Sequence, residues 1–139
     1  MEGGFGLQDL RKSLRDMLNH AGTESPAVCA DQILMHVLHL DKTQLLLGRN
    51  EVSADDSERV FAMAKRRIGG EPIQYILGHC PFMDLDFVVN PSTLIPRPET
   101  ELLVETVLGL LSKEKRLTVW DIGCGSGCIG ISLAHFNSN

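Results

Sequence analysis

Basic residues are the first shortage of this sequence. Thirteen lysines and arginines stand against eighteen acids, a formal charge of −5, the wrong sign for a surface that gains affinity by neutralising many phosphates. Nucleic acid is therefore disfavoured as a direct partner. No apolar run approaches the roughly 20 residues that cross a bilayer, which excludes a membrane-spanning helix. The four cysteines, Cys29, Cys80, Cys124 and Cys128, form no paired C-x-x-C units and are too sparse for a secreted disulfide scaffold, so they read as reduced thiols. Cys124 and Cys128 lack a second ligand pair, and His36 and His39 lack a third ligand, so no metal site is expected. Organelle transit peptides are poor in acids, whereas the first twenty residues carry Glu2, Asp9 and Asp16. The expected address is the cytoplasm. Internal repeats and low-complexity tracts are also missing.

What is present is 139 residues with 43% apolar composition, enough for one ordinary core or two small ones. Residues 7 to 77 read as short helices. Leu7, Leu10, Leu14, Met17 and Leu18 share a face, and Gly22 stops it. Ser25-Pro26 reads as a cap followed by proline at the first helical position, opening a helix that buries Ile33, Leu34, Val37 and Leu38. A short helix over Asp41–Leu47 closes at Gly48. Ser53 caps another, with Asp55, Asp56 and Glu58 in its first turn and Lys65, Arg66 and Arg67 in its last, as the helix dipole favours. That charge pattern makes the basic cluster solvated surface rather than a phosphate contact. Gly69 and Gly70 end this helix, and Glu71-Pro72 starts a last turn or two that Gly78 stops. Such a half is either a self-contained bundle or a module that recognises another protein.

From residue 82 the period changes. Leu85, Phe87 and Val89 alternate with Asp86 and Val88 between Pro81 and Asn90-Pro91, which is strand spacing between turn signals; a β-hairpin is expected to bridge the halves. Three prolines, Pro91, Pro96 and Pro98, follow in "PSTLIPRPETELLVETVLGLL", the last of them in Pro98-Glu99-Thr100-Glu101, which opens an acidic helical turn, with Leu102, Leu103, Val107, Leu110 and Leu111 as the apolar stripe. "SKEKR" is a polar link, and "LTVWDI", residues 117 to 122, reads as a short strand.

That strand runs into Gly123-Cys124-Gly125-Ser126-Gly127 and then a helix. Strand, glycine-rich turn and helix in this order place backbone N–H groups and a positive helix end beside a polar or anionic group. Gly125-x-Gly127-x-x-Gly130 satisfies a dinucleotide pattern but comes too late, because there the first glycine leaves the strand directly. From Gly123 the pattern is an acid, Asp121, closing the strand and then G-x-G-x-G. An acid at that point repels a diphosphate and pairs with an ammonium, which favours an amino-acid-like ligand. The run resembles the first motif of Rossmann-like S-adenosylmethionine methyltransferases.

The acceptor is suggested by a second resemblance. "GEPIQYILGHCPFMDLDFVVNPSTLIPRPETELLVE", residues 70 to 105, is similar to the segment joining the helical and catalytic domains of the HemK-like release factor glutamine methyltransferases. The order of bundle, "GEPIQYILG", hairpin, "IPRPETE" and "DIGCGSGCI" also matches, as far as about Ala134. The resemblance implies an α+β chain: a helical substrate-recognition domain over 1–78, a hairpin linker over 79–97, and over 98–139 the first strand, loop and helix of a Rossmann-like domain. It implies S-adenosylmethionine as cofactor and peptide-chain release factors as partners, methylated on the glutamine of their Gly-Gly-Gln motif. Asp121 would receive the cofactor's ammonium, and backbone from Gly123 through Cys124, Gly125 and Ser126 to Gly127 would line its methionine part. Arg97, Glu99 and Thr100 would border the pocket, or else brace the hairpin and helix. Cys124 and Ser126 take backbone roles and no nucleophile is assigned. The family's Asn-Pro-Pro-Tyr, which holds the acceptor amide, is missing, so the chain reads as a truncated piece that does not catalyse alone. Two other readings stay open: a non-catalytic module that docks a release factor or other protein, and an adenine-N6 nucleic-acid methyltransferase, against which the charge counts.

Overall fold

The computed structural model describes residues 5–111 and 118–137. They divide into two compact units, Met1–Leu77 and Gly78–Asn139. The "SKEKR" link lies outside the described residues.

The first unit holds five helices, α1 (Leu7–His20), α2 (Pro26–Leu38), α3 (Lys42–Leu47), α4 (Ala54–Ile68) and α5 (Ile73–Leu77). A two-residue antiparallel pair, β1 (Phe5–Gly6) with β2 (Glu51–Val52), ties the chain before α1 to the α3–α4 connection. No apolar periodicity announces so short a ladder. Helical spacing places Leu7, Leu10, Leu14 and Leu18 of α1 on one face, and all four are buried. They pack with Ile33, Leu34 and Val37 of α2, Leu45 of α3, and Val60 and Ala64 of α4 in one core; Met35, Leu38 and Phe61 lie partly buried around it.

Local capping fixes where two of these helices begin. Asp41 accepts the Gln44 N–H at 2.7 Å while the Gln44 side chain receives the Asp41 N–H at 2.8 Å, a reciprocal box at the start of α3. Ser53 accepts the Asp56 N–H at 3.1 Å at the start of α4. Ser25 departs from expectation. It stands before α2 in a left-handed conformation, φ 51° and ψ 54°, and its hydroxyl caps nothing, because a capping side chain reaches the first turn from an extended backbone.

Charge pairs hold the surface of this unit. Asp31 on α2 receives the Arg11 Nε and Nη2 hydrogens at 2.9 Å each and the Arg15 Nη2 at 2.8 Å, fastening α2 to α1. The Arg11 hydrogen bonds hold the Asp31 carboxyl below its ordinary range, burial opposing them. Arg66 takes a two-pronged grip on Glu71 at 2.8 and 2.6 Å just beyond the end of α4, so the basic run of α4 is partly spent within the fold.

The second unit begins with a hairpin of β3 (His79–Phe82) and β4 (Leu85–Val88), with Phe82 opposite Leu85 and Cys80 opposite Phe87. Pro81 lies within β3 rather than bounding it. Helix α6 (Glu99–Leu110) and helix α7 (Cys128–Phe136) follow. Phe82 and Phe87 meet edge to face with centroids 6.0 Å apart and share a small core with Val104, Cys128 and Leu133. Two expectations are corrected here. The buried residue of α6 is Val104, and Val107 and Leu111 of the expected stripe lie partly buried against the same core, whereas Leu102, Leu103 and Leu110 are 68%, 50% and 80% exposed; apolar residues are spread around α6, so periodicity alone could not choose its buried face. Residues 118–122 form no strand, since a strand exists through ladder bonds to a neighbour and none of the described residues supplies one.

Two outcomes follow. Leu14→Ala empties a fully buried site and is expected to cost about 2–5 kcal/mol, while Leu102→Ala changes stability by about 0.5 kcal/mol or less; urea unfolding of both variants checks this, and equal losses would contradict the assigned faces. Asp31 has a depressed folded pKa, so its contribution is complete above the unfolded value of about 3.9 and is lost as pH falls through the lower folded value. Asp31→Asn is expected to destabilise the chain by about 1–3 kcal/mol at neutral pH and to flatten the decline below pH 4, measured by thermal melts across pH 2 to 7.

Candidate functional site

Between Ile122 and Cys128 the chain turns on three glycines. Gly123, Gly125 and Gly127 have φ of 77°, 56° and 78°, while Cys124 and Ser126 are not among the residues with positive φ. Side chains are strained at positive φ, so glycine is required at each of the three positions. A φ that changes sign at successive residues is the condition under which neighbouring N–H groups converge on one concavity, a seat for an anionic or polar group. The loop is pinned where Gly127 N–H meets the Cys124 carbonyl at 2.8 Å, and Gly127 then caps α7 with its own carbonyl receiving the Ile131 N–H at 2.9 Å.

Facing this loop is the proline-rich segment before α6. Leu94, Ile95, Pro96, Arg97 and Thr100 from one side and Gly123, Cys124, Gly125, Ser126, Cys128 and Ile129 from the other line a cleft of about 140 Å³. Positions more than twenty residues apart in sequence thus share one cavity. Its volume is below the roughly 300 Å³ at which pockets for whole drug-sized ligands begin, so these walls suit part of such a molecule. The Ser126 hydroxyl is buried and without a hydrogen-bond partner, a polar atom held at the rim of the loop. Cys124 is exposed, and Cys128 is buried at the first position of α7.

Of the nine residues singled out from sequence, Arg97, Thr100, Gly123, Cys124, Gly125 and Ser126 line the cleft. Gly127 caps the adjoining helix. Glu99 is absent from this lining, as is Asp121, which lines a separate cavity of about 300 Å³ with Leu111, Val119, Gly130, Leu133, Ala134 and Asn137. Asp121 Oδ2 receives the Gly130 N–H at 3.0 Å, binding the segment before the loop to the first turn of α7. A Cβ at position 130 would lie 3.2 Å from that oxygen, so the fourth glycine keeps the approach open. An acid beside a helix N-terminus is also electrostatically favoured.

Sequence reasoning missed two supports of the cleft. Glu101 Oε1 receives the Met83 N–H at 2.9 Å, joining the hairpin tip to α6. The Cys80 thiol lies 3.9 Å from the Pro96 carbonyl in buried surroundings, and burial pushes its pKa up, keeping it a neutral donor. Glu101 sits inside the "IPRPETE" run, yet nothing in linear spacing pairs it with residue 83.

With this geometry in hand, comparison with known proteins is informative. Residues 9–78 match the family model of the PrmC N-terminal domain. Proteins named release factor glutamine methyltransferase are similar over most of the chain. That of Koribacter versatilis is 44% identical over 129 residues, covering 90% of this chain and 46% of the relative. That of Nitratidesulfovibrio vulgaris is 41% identical over 128 residues, 91% and 43% of the two chains. That of Aliivibrio fischeri is 39% identical over 131 residues, 94% and 46%. The chain therefore spans a little under half the length of these relatives. Among the described residues no helix is long and apolar enough to cross a membrane. With a family match over half of its residues, this chain belongs to the PrmC N-terminal domain family and is similar almost throughout to the N-terminal portion of release factor glutamine methyltransferases.

Proposed function

We propose that this chain is the N-terminal portion of an enzyme that transfers a methyl group from S-adenosylmethionine to the side-chain amide nitrogen of the Gly-Gly-Gln glutamine in peptide-chain release factors. The observation that carries the reading is the cleft in which Arg97 and Thr100 face a loop of three left-handed glycines. The residues present fit the cofactor. A Cβ at Gly123 or Gly125 would point into open space, with no atom within 4 Å, so main-chain N–H groups at these positions are approachable. When bound, S-adenosylmethionine supplies a methyl group on a positively charged sulfur.

This chain's share of the reaction is binding and orientation. An amide nitrogen is a poor nucleophile because its lone pair is delocalised, so holding the donor in line with it removes much of the barrier. The backbone from Gly123 to Gly127, through Cys124 and Ser126, lines the methionine part of the cofactor, the Gly127 N–H being already bonded to the Cys124 carbonyl. Asp121 already accepts one hydrogen bond from Gly130; a carboxylate has capacity for more, and the remainder is assigned to the cofactor's ammonium. Arg97 and Thr100 border the cleft that the glycine loop lines, whereas Asp121 lines a separate cavity and Glu99, at the start of α6, lies outside the lining of both. No catalytic residue is assigned within the 139 residues, because the sequence contains no Asn-Pro-Pro-Tyr to accept hydrogen bonds from the substrate amide. Residues 1–78 act as the substrate-recognition domain, 79–97 as the linker and 98–139 as the opening of a Rossmann-like cofactor domain, in a cytoplasmic enzyme.

One observation favours a second reading, that of a helical docking module for release factors. The first unit closes a core of its own from four helices and β2, as a recognition domain must. The reading as an adenine-N6 nucleic-acid methyltransferase is disfavoured by the net charge of −5.

Calorimetric titration of the chain with S-adenosylmethionine is expected to show binding that Gly125→Ala weakens at least about tenfold, the added methyl costing about 1–2 kcal/mol in backbone strain and filling part of the cleft. Methyl transfer to a release factor by the same 139 residues is expected to be undetectable. Binding unchanged in Gly125→Ala, or a nicotinamide dinucleotide held in preference, would refute the cofactor assignment.

A further inference from the structure

The hairpin between β3 and β4 turns through two residues, Met83 and Asp84, with φ of 50° and 59°. Such a turn demands left-handed backbone at both central positions and is ordinarily built from Asn-Gly or Asp-Gly. Methionine has no preference for it and aspartate, which tolerates left-handed backbone, stands at the position where glycine is usual, so the surroundings must help to impose it. Two restraints are visible. Phe82, which flanks the turn opposite Leu85, and Phe87, two residues further along β4, are buried in the core of the second unit. Glu101, in the first turn of α6, receives the Met83 N–H.

Glu101 is placed to pass that restraint on to the cleft. Its own N–H is bonded to the Pro98 carbonyl at 3.0 Å, and the N–H of neighbouring Thr100 to the Arg97 carbonyl at 2.9 Å. Arg97 and Thr100 are cleft residues. At the other end of β3, Cys80 approaches the carbonyl of Pro96, another cleft residue. The hairpin therefore holds the Pro96–Thr100 wall chiefly through the charged side chain of Glu101, the single Cys80 S–H having a nearer acceptor in the Pro81 carbonyl at 3.5 Å.

We propose that Glu101 is a positioning residue for the cofactor cleft: by holding the strained Met83-Asp84 turn against α6 it fixes the Pro96–Thr100 wall opposite the glycine loop. Glu101 itself touches no cofactor, as it is not part of the cleft lining. The inference deepens the function proposed above and rests on it for the identity of the ligand, whereas the coupling between hairpin and wall stands on geometry alone.

Three variants of the full chain test it: Glu101→Ala, Glu101→Gln and Asp84→Gly. Glutamine keeps a carbonyl oxygen for Met83, and glycine relieves the turn without touching Glu101. Amide NMR and hydrogen exchange without ligand are the first readout. Glu101→Ala is expected to speed exchange at Met83 at least about tenfold and to shift the Arg97, Thr100 and Gly125 amides, while Glu101→Gln restores both. Asp84→Gly is expected to leave the cleft amides in place. Titration with S-adenosylmethionine is the second readout, with affinity about tenfold lower in Glu101→Ala and recovered in Glu101→Gln. Shifts confined to the hairpin in Glu101→Ala, or affinity equal to that of the unaltered chain, would overturn the proposal. Failure of the unaltered chain to bind S-adenosylmethionine, with the Arg97 and Thr100 shifts present, would overturn the cofactor assignment and uphold the positioning role.

Discussion

At every second residue from Gly123 to Gly127 the main chain takes a positive φ, and the rest of the site follows from that constraint. An alternation of this kind is sterically open to glycine and costs other residues roughly 1–2 kcal/mol at each step. It converts a short stretch of backbone into a set of convergent donors with no side chain between them and a ligand. The loop cannot do this in isolation. Its far end is fixed by the carbonyl of Gly127 at the start of α7, and its near end by Asp121 reaching across to Gly130. The acid before the loop thus has a structural task as well as the ligand-binding one assigned to it. It orients the segment entering the turn, and it places negative charge at the positive end of α7.

Much of this was legible in the sequence, for a definable reason. Helix periodicity and capping residues are local signals, and the first unit is built almost wholly from them: four leucines of α1 and the Ser53 cap fall where their spacing puts them, while Asp41, read as the first residue of its helix, is the cap of α3. Glycine at positions 123, 125 and 127 is likewise a local demand of φ. What spacing did not disclose is nonlocal or degenerate. The β1–β2 pair and the Glu101 to Met83 bond join residues far apart in sequence. The face of α6 was legible only in part because its leucines and valines are spread around the helix: Val107 and Leu111 pack on the core as their spacing suggests, while tertiary contact with Phe82 and Phe87 adds Val104. Residues 118–122 carry strand composition, yet composition cannot supply the neighbouring backbone that makes a strand.

The two units differ in how far each satisfies its own apolar surface. In the first, the leucines of α1 meet partners from α2, α3, α4 and β2, and the buried list is long. In the second, Phe82, Phe87, Val104, Cys128 and Leu133 form a smaller core, with Cys80, Val89 and Ile95 also buried among the described residues, while Val119, Trp120, Ile122 and Ile131 join the three exposed leucines of α6 at or above half exposure. The physical consequence is a gradient of local stability: opening of the second unit exposes little that was buried, so it is the cheaper fluctuation.

That gradient bears on the cleft. The cofactor seat proposed for it, made of backbone N–H groups, would work through preorganisation, because donors already aimed at a ligand need no ordering when it arrives. In a unit with so small a core, the aim must come from specific contacts more than from bulk packing. The structure places them at the edges of the site: Asp121 to Gly130 beneath the loop, Gly127 to Cys124 within it, Cys80 and Glu101 behind the opposite wall. Each is a single bond of modest net worth, about 0.5–3 kcal/mol depending on charge. The cleft is therefore set by a few polar ties whose individual loss would shift its walls before it unfolded the unit, and ligand affinity should respond to them more steeply than stability does.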